Sequence, residues 1–197
     1  MTNVCLVRHG ETEWNRLGKL QGRTDIPLNL QGKLQAQECR KYLRDFEYEI
    51  VISSPLKRAL ETAQIINEGE KSQVLVMKEF IERDYGDAEG MTIEERQLAF
   101  PDKNYPNQES REFLNERITN GLTKINQDYS DSNIVLVAPG AVINAILAHI
   151  SDGEIGSGKT KLINACVSSI EFIEEKWRVN HYNQITHLSK YSEKGNL

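Results

Sequence analysis

Short aliphatic runs alternate along this chain with longer stretches whose apolar residues recur at helical spacing. Val4 to Val7, Ile50 to Ile52, Val74 to Met77 and Ile134 to Val137 read as buried strands. Gln31 to Phe46, Leu56 to Asn67, Glu109 to Tyr129 and Ala141 to Ile150 read as helices. The first of these is expected to turn Leu34, Cys39, Leu43 and Phe46 toward one face. Strands that are apolar throughout belong in parallel sheets covered on both sides, and a strand–helix–strand order builds such sheets. Val167 to Ile173 and Trp177 to Tyr182, joined by Glu174-Glu175-Lys176, read as two late strands. The predicted fold is α/β: a three-layer sandwich with a mostly parallel central sheet and helices on both faces. Residues 78 to 108, broken by Gly86, Gly90, Pro101 and Pro106, form a long excursion with a short helix at Thr92 to Phe100. No repeat, low-complexity linker or shift in composition divides the chain, so residues 1–197 are read as one domain.

Composition narrows the class of function. The 197 residues suffice for one real core, and 39% hydrophobic with 27% charged residues is ordinary for a soluble globular chain. The net charge of −5, with no block of Lys and Arg, argues against nucleic acid or a membrane surface as partner. The apolar runs are too short to span a bilayer, and the N-terminus lacks the pattern of a secretory signal, so a cytoplasmic protein is expected. Cys5, Cys39 and Cys166 are odd in number and widely spaced, which suits buried free thiols rather than disulfides or a metal cluster.

In open α/β sheets, ligands bind beyond the carboxyl ends of the strands. The first strand ends in Arg8-His9-Gly10-Glu11-Thr12. The second ends in Ser53-Ser54-Pro55-Leu56-Lys57-Arg58. The third leads to Glu82-Arg83-Asp84-Tyr85-Gly86. Singly, each has an ordinary explanation: a structural histidine, a surface arginine, a solvated carboxylate. Together they suit phosphate chemistry. Arginine matches phosphate oxygens with a planar, permanently charged fork. A neutral imidazole is a competent nucleophile toward phosphorus, and a carboxylic acid can protonate a departing alkoxide. The fourth strand leads only to Ala138-Pro139-Gly140, a helix start without a reactive side chain.

Leu6-Val7-Arg8-His9-Gly10-Glu11-Thr12 with Trp14-Asn15 resembles the signature of the histidine phosphatase superfamily, also called phosphoglycerate mutase-like. Four more ordered segments resemble that family. They are Gln21 to Leu28, Ser53 to Ala59 with Thr62-Ala63, Glu82 to Gly86 with Glu89-Gly90, and the turn before Ala141. The resemblance implies a phosphoglycerate mutase-like fold and a phosphohistidine mechanism. His9 would attack phosphorus, and Glu82 would protonate the leaving oxygen and then help water attack the intermediate. Arg8, Arg58 and Asn15 would hold the phosphoryl oxygens, with Gln21 close by and the backbone at Gly140 offering a further contact. It implies no metal and no cofactor, a small phosphorylated metabolite as substrate, and inorganic phosphate as product or inhibitor. A phosphatase is favoured over a mutase, because the resembled glycolytic mutases are longer and carry inserted segments over the site. A non-catalytic binder of phosphate ligands is the third reading. The excursion from Thr92 to Ser110 is expected to form a substrate-selecting lid.

Two positions depart from the family pattern. Ala88 stands where the acid loop often carries tryptophan. Pro139 stands where the family carries a second histidine directly before glycine. Proline offers neither a side-chain donor nor a backbone N–H. Loss of one such donor costs about 3–4 kcal/mol of transition-state stabilisation, roughly two to three orders of magnitude in rate. His149 cannot replace it, being about 15 Å along the helix at ~1.5 Å per residue, and His181 and His187 lie in the late strand and tail. A reduced rate is therefore expected. Gly153 to Thr160 also fits the phosphate-loop pattern G-x-x-x-x-G-K-[ST], but it follows a helix instead of a strand and precedes a hairpin.

Overall fold

A computed structural model describes residues 1–70 and 72–192. The strands are β1 (Thr2–Arg8), β2 (Ile50–Ser53), β3 (Val74–Val76), β4 (Asn133–Ala138), β5 (Val167–Ile173) and β6 (Lys176–Gln184). The helices are α1 (Glu13–Arg16), α2 (Leu30–Tyr42), α3 (Lys57–Ile66), α4 (Ile93–Ala99), α5 (Arg111–Asp128) and α6 (Gly140–Ile150). The six strands form one mixed sheet in the order β3-β2-β4-β1-β5-β6. β1, β2, β3 and β4 run parallel, while β5 is antiparallel to both β1 and β6. Helix α2 packs against α3 and α5 against α6, covering the sheet on both faces. This is the expected α/β sandwich, and every strand read from the sequence is present.

Local chemistry explains the boundaries. Asn29 caps α2 by accepting from Gly32 N (2.8 Å), and Ser110 caps α5 by accepting from Phe113 N (3.1 Å). The β5–β6 hairpin turns through Glu174 and Glu175, both with positive φ (52° and 62°), which matches the twist of paired antiparallel strands. Two details differ from expectation. The long helix after residue 30 changes at Leu43 into a 3-10 turn that ends at Phe46, with left-handed Glu47 (φ 36°) stopping it. Leu34 is 54% exposed, and the buried face of α2 is Gly32, Gln35, Ala36 and Cys39. The helical spacing of Leu34 was offset from that face because buried Gln35 has a polar task described below. Cys5, Cys39 and Cys166 are free and buried. No helix among the described residues is long and apolar enough to cross a membrane.

Candidate active site

Arg8, the last residue of β1, pairs with Ala138, and Ser53, the last of β2, pairs with Val137. These neighbouring parallel strands therefore stop in one row. The ladder continues one residue further: His9 N donates to Ala138 O (3.2 Å) and Ser54 N to Val137 O (2.9 Å). His9, Ser54 and Pro139 thus share one rim.

His9 is 2% exposed. Its Nδ1 lies 2.7 Å from Gly10 O. A carbonyl only accepts, so Nδ1 carries the proton and Nε2 keeps its lone pair. Burial, then the charges of Arg58 and Arg8, hold the imidazole well below its ordinary 6.5, so the ring is neutral at pH 7. Gly10 is needed at this turn, because any side chain would run into the backbone of Gly32. Gly10 N donates to Thr62 Oγ1 (3.0 Å), and that hydroxyl donates to Arg58 O (2.7 Å). Glu11 N donates to Gln35 Oε1 (2.9 Å), which is why a polar residue lies buried on α2.

Arg58, in the first turn of α3, is 1% exposed rather than on the surface. Its Nη1 and Nη2 donate to Thr24 O (3.1 Å) and Gly22 O (2.7 Å), and its buried Nε has no protein partner. Arg8 is also buried, and its Nη1 donates to Leu162 O. Burial pulls Arg8 down to about 10 and lowers Arg58 as well, yet Arg8 stays charged at neutral pH.

Glu82 follows a 3-10 turn after β3 and is buried. Its Oε1 accepts from Arg83 N (2.9 Å) and its Oε2 from Ala141 N (3.3 Å). Ala141 lies in the first turn of α6, so the carboxyl occupies the positive end of that helix. Burial raises the Glu82 pKa above the ordinary 4.5, against the opposing pull of Arg58, these backbone bonds and Arg8. A buried acid and a neutral base that both feel Arg58 and Arg8 have the separation of roles that proton transfer requires.

Pro139 caps α6 with extended backbone and no side-chain bond. Gly140 opens the helix where a Cβ would lie 3.1 Å from Arg8 Nε, so its lack of side chain lets the guanidinium approach. Asn15 sits in α1, and its Oδ1 accepts from Thr12 N (3.1 Å) and Asn164 Nδ2 (3.2 Å), leaving the amide donors unspent. Gln21 is buried beside them, with Oε1 2.8 Å from Thr12 Oγ1. The structure therefore gathers all eight residues singled out in the sequence around the ends of β1, β2 and β4. His149 and His181 are exposed, and His187 is half-buried, stacked on Tyr42 with Nε2 3.0 Å from Ala165 O. None replaces an imidazole at Pro139.

Three supporting residues had no role assigned from the sequence. Glu89 accepts from Arg23 N (2.8 Å), Thr24 N (2.9 Å) and Oγ1 (2.5 Å), and Tyr85 N (3.2 Å), tying the Gln21 loop to the acid loop. Thr62 was noted only as part of a motif. Asn164 had one legible signal, being a lone amide inside the apolar run Leu162 to Cys166. The Thr92 to Ser110 segment lies against the acid loop through Asp87 N to Pro106 O (3.0 Å) and Glu109 N to Asp84 O (2.9 Å). Beside it opens a cavity of about 320 Å³ lined in part by Arg23, Asp84, Glu109 and Phe113. The Gly153 to Thr160 segment is a chain of turns after α6 with no helix following, and Lys159 Nζ donates to Gly153 O (2.7 Å). Among the described residues no cluster of His, Cys, Asp and Glu could hold a metal ion.

Known proteins share this arrangement. The sequence profile of the histidine phosphatase superfamily (branch 1) matches residues 4–185. An uncharacterized phosphatase, PhoE, of Bacillus subtilis is 53% identical over 191 residues, covering 97% of this chain and 99% of the relative. A metal-independent phosphoserine phosphatase of Arabidopsis thaliana is 30% identical, covering 96% and 84% respectively. Among solved structures, a mutant phosphoserine phosphatase from Entamoeba histolytica in complex with phosphoserine superposes with a TM-score of 0.84. It is 30% identical and covers 95% of this chain and 100% of that one. Fold, ordered motifs and relatives converge, and this chain belongs to the histidine phosphatase superfamily.

Proposed function

We propose that this protein is a cytoplasmic phosphomonoesterase that works through a phosphohistidine on His9. One observation carries the reading: a neutral imidazole with its Nδ1 proton held by Gly10 O, buried beside two guanidiniums and a carboxyl of raised pKa. His9 Nε2 attacks phosphorus in line, and the P–O bond to the leaving group breaks as Glu82 gives that oxygen its proton. The Glu82 carboxylate then takes a proton from water, whose oxygen displaces His9 and releases inorganic phosphate. Arg8, Arg58 and the amide of Asn15 hold the phosphoryl oxygens, where fixed cations meet the developing charge. Gln21 and the backbone at Gly140 complete the contact surface. The chemistry draws on no metal or cofactor. The three buried free thiols fit a reducing compartment.

The substrate is a small phosphorylated metabolite, in keeping with the phosphoserine bound by the Entamoeba relative. The Thr92 to Ser110 segment, held against the loop of Glu82 by Glu109 N to Asp84 O (2.9 Å), is the candidate selector of its non-phosphate part. The whole chain acts as one domain. Transfer to water fits better than mutase-type transfer, because this compact chain lacks the further inserted segments that the resembled glycolytic mutases carry over the site. Pro139 slows turnover, because no imidazole supports the phosphoryl group at the start of α6. The test is hydrolysis of p-nitrophenyl phosphate, quenched in alkaline detergent so that a phosphohistidine survives. Acid-labile, alkali-stable phosphate on the protein is expected, and it disappears in His9→Ala. Turnover that persists in His9→Ala rejects the reading.

A further inference from the structure

The turn bearing His9 is braced from the far end of the chain by a short segment before β5. Leu162 O accepts from Arg8 Nη1. Cys166 O accepts from Arg8 N (3.1 Å), and Ala165 N donates to Arg8 O (3.1 Å) and His9 O (3.2 Å). Ala165 achieves this in a left-handed conformation, φ 59°, which costs a non-glycine residue about 1–2 kcal/mol. Such strain persists where surrounding bonds over-determine it. Its effect is to aim the side chain of the preceding residue, Asn164, inward.

Asn164 is buried, and its Nδ2 faces three acceptors: His9 O (3.1 Å), Gly10 O (3.4 Å) and Asn15 Oδ1 (3.2 Å). Gly10 O is the same oxygen that receives the His9 Nδ1 proton. Asn164 therefore helps fix the carbonyl that selects the imidazole tautomer. Its bond to Asn15 Oδ1, together with that from Thr12 N (3.1 Å), fixes which end of that amide is spent, so the N–H end is the one left for an anion. One amide thus orients two groups that the proposed chemistry needs.

We propose that Asn164 is a positioning residue that sets both the His9 tautomer and the orientation of the Asn15 amide. The inference rests on the reading of His9 as nucleophile and Asn15 as phosphate contact. The test uses the full chain, with ¹⁵N NMR of the His9 ring at pH 7 and calorimetric titration with inorganic phosphate. Wild type is expected to show a single Nδ1–H tautomer. Asn164→Ala is expected to mix the tautomers, weaken phosphate about tenfold, and lower kcat by about 10- to 100-fold through misplacement of the nucleophile. Asn15→Ala should weaken phosphate too, and the double variant should be no weaker than Asn15→Ala, since both act through one amide. A folded Asn164→Ala with wild-type tautomer or wild-type phosphate affinity overturns the proposal. So do phosphate losses that simply add in the double variant. If Asn164→Ala does not fold, Asn164→Ser is read in the same way, and a mixed tautomer in wild type overturns the proposal without any variant. A wild type that binds no phosphate rejects the phosphatase reading instead, and the tautomer alone then judges Asn164.

Discussion

At the scale of single residues, Pro139 and Glu82 have to be considered together. Proline leaves α6 without a side-chain cap, and the Glu82 carboxyl accepts from Ala141 N in the first turn of that helix. The acid thus occupies part of the positive end that an anionic ligand would otherwise use. Pro139→His is expected to raise kcat by about two to three orders of magnitude, measured with p-nitrophenyl phosphate under saturation. An unchanged rate would mean that the remaining cations suffice. The pH profile has its own signature. The proposed mechanism needs His9 unprotonated, which holds above a pKa well below 6.5, and Glu82 protonated, which holds below a pKa raised above 4.5. kcat/KM should therefore fall on the alkaline side as Glu82 ionises. Glu82→Gln should abolish that limb while lowering the rate, and a limb that survives the substitution would assign it to another group.

At the scale of elements, the site depends on loops that are stapled to one another. Glu89 takes four donors from two loops, and Gly22 is required beside it because a side chain there would collide with the Glu89 carboxylate. Glu89→Ala leaves several half-buried donors without an acceptor, so a loss of about 1–3 kcal/mol is expected, below the sum of the penalties of buried groups. Urea unfolding checks the stability, and a raised KM for phosphomonoesters checks the loosening of the Arg58 anchor. Gly153 to Thr160 lies outside all of this. The unmodified chain should show no saturable ATP binding in a titration with Mg²⁺, and saturable binding abolished by Lys159→Ala would revive the phosphate-loop reading. Elements with a strong period were legible in the sequence: every strand, the helices and the hairpin. Boundaries followed capping side chains more than hydrophobicity, and α1 was missed because a four-residue helix has no period to detect. The motif residues were legible as a set because they follow successive strands. The role of Asn164 was not, and Glu89 was legible only as a motif member, because most of their partners lie 65 to 155 residues away in the chain. Only the folded sheet makes those distances short.

For the molecule as a whole, burial of ionisable groups links the site to stability. His9 and His187 both have folded pKa values below 6.5. Their contribution is present above pH 6.5 and is lost as pH falls, because the unfolded chain binds protons that the native state refuses. Glu82 acts in the opposite sense, its contribution being complete below 4.5 and lost as pH rises through its raised value. Tm is expected to drop between pH 7 and pH 5, and His9→Gln should flatten that drop; a slope that does not change would remove His9 as its source. The strand order carries a different consequence. β1 lies between β4 and β5, neither of which is made until the last third of the chain. A ribosome adding about 5–20 residues per second leaves the first strand without its neighbours for roughly 6–25 s. During synthesis His9 emerges well before the strands and the Asn164 segment that enclose it. Nascent chains should therefore expose an apolar strand to chaperones until Asn133–Ala138 has been made, and the pocket cannot close before the segment preceding β5 follows it.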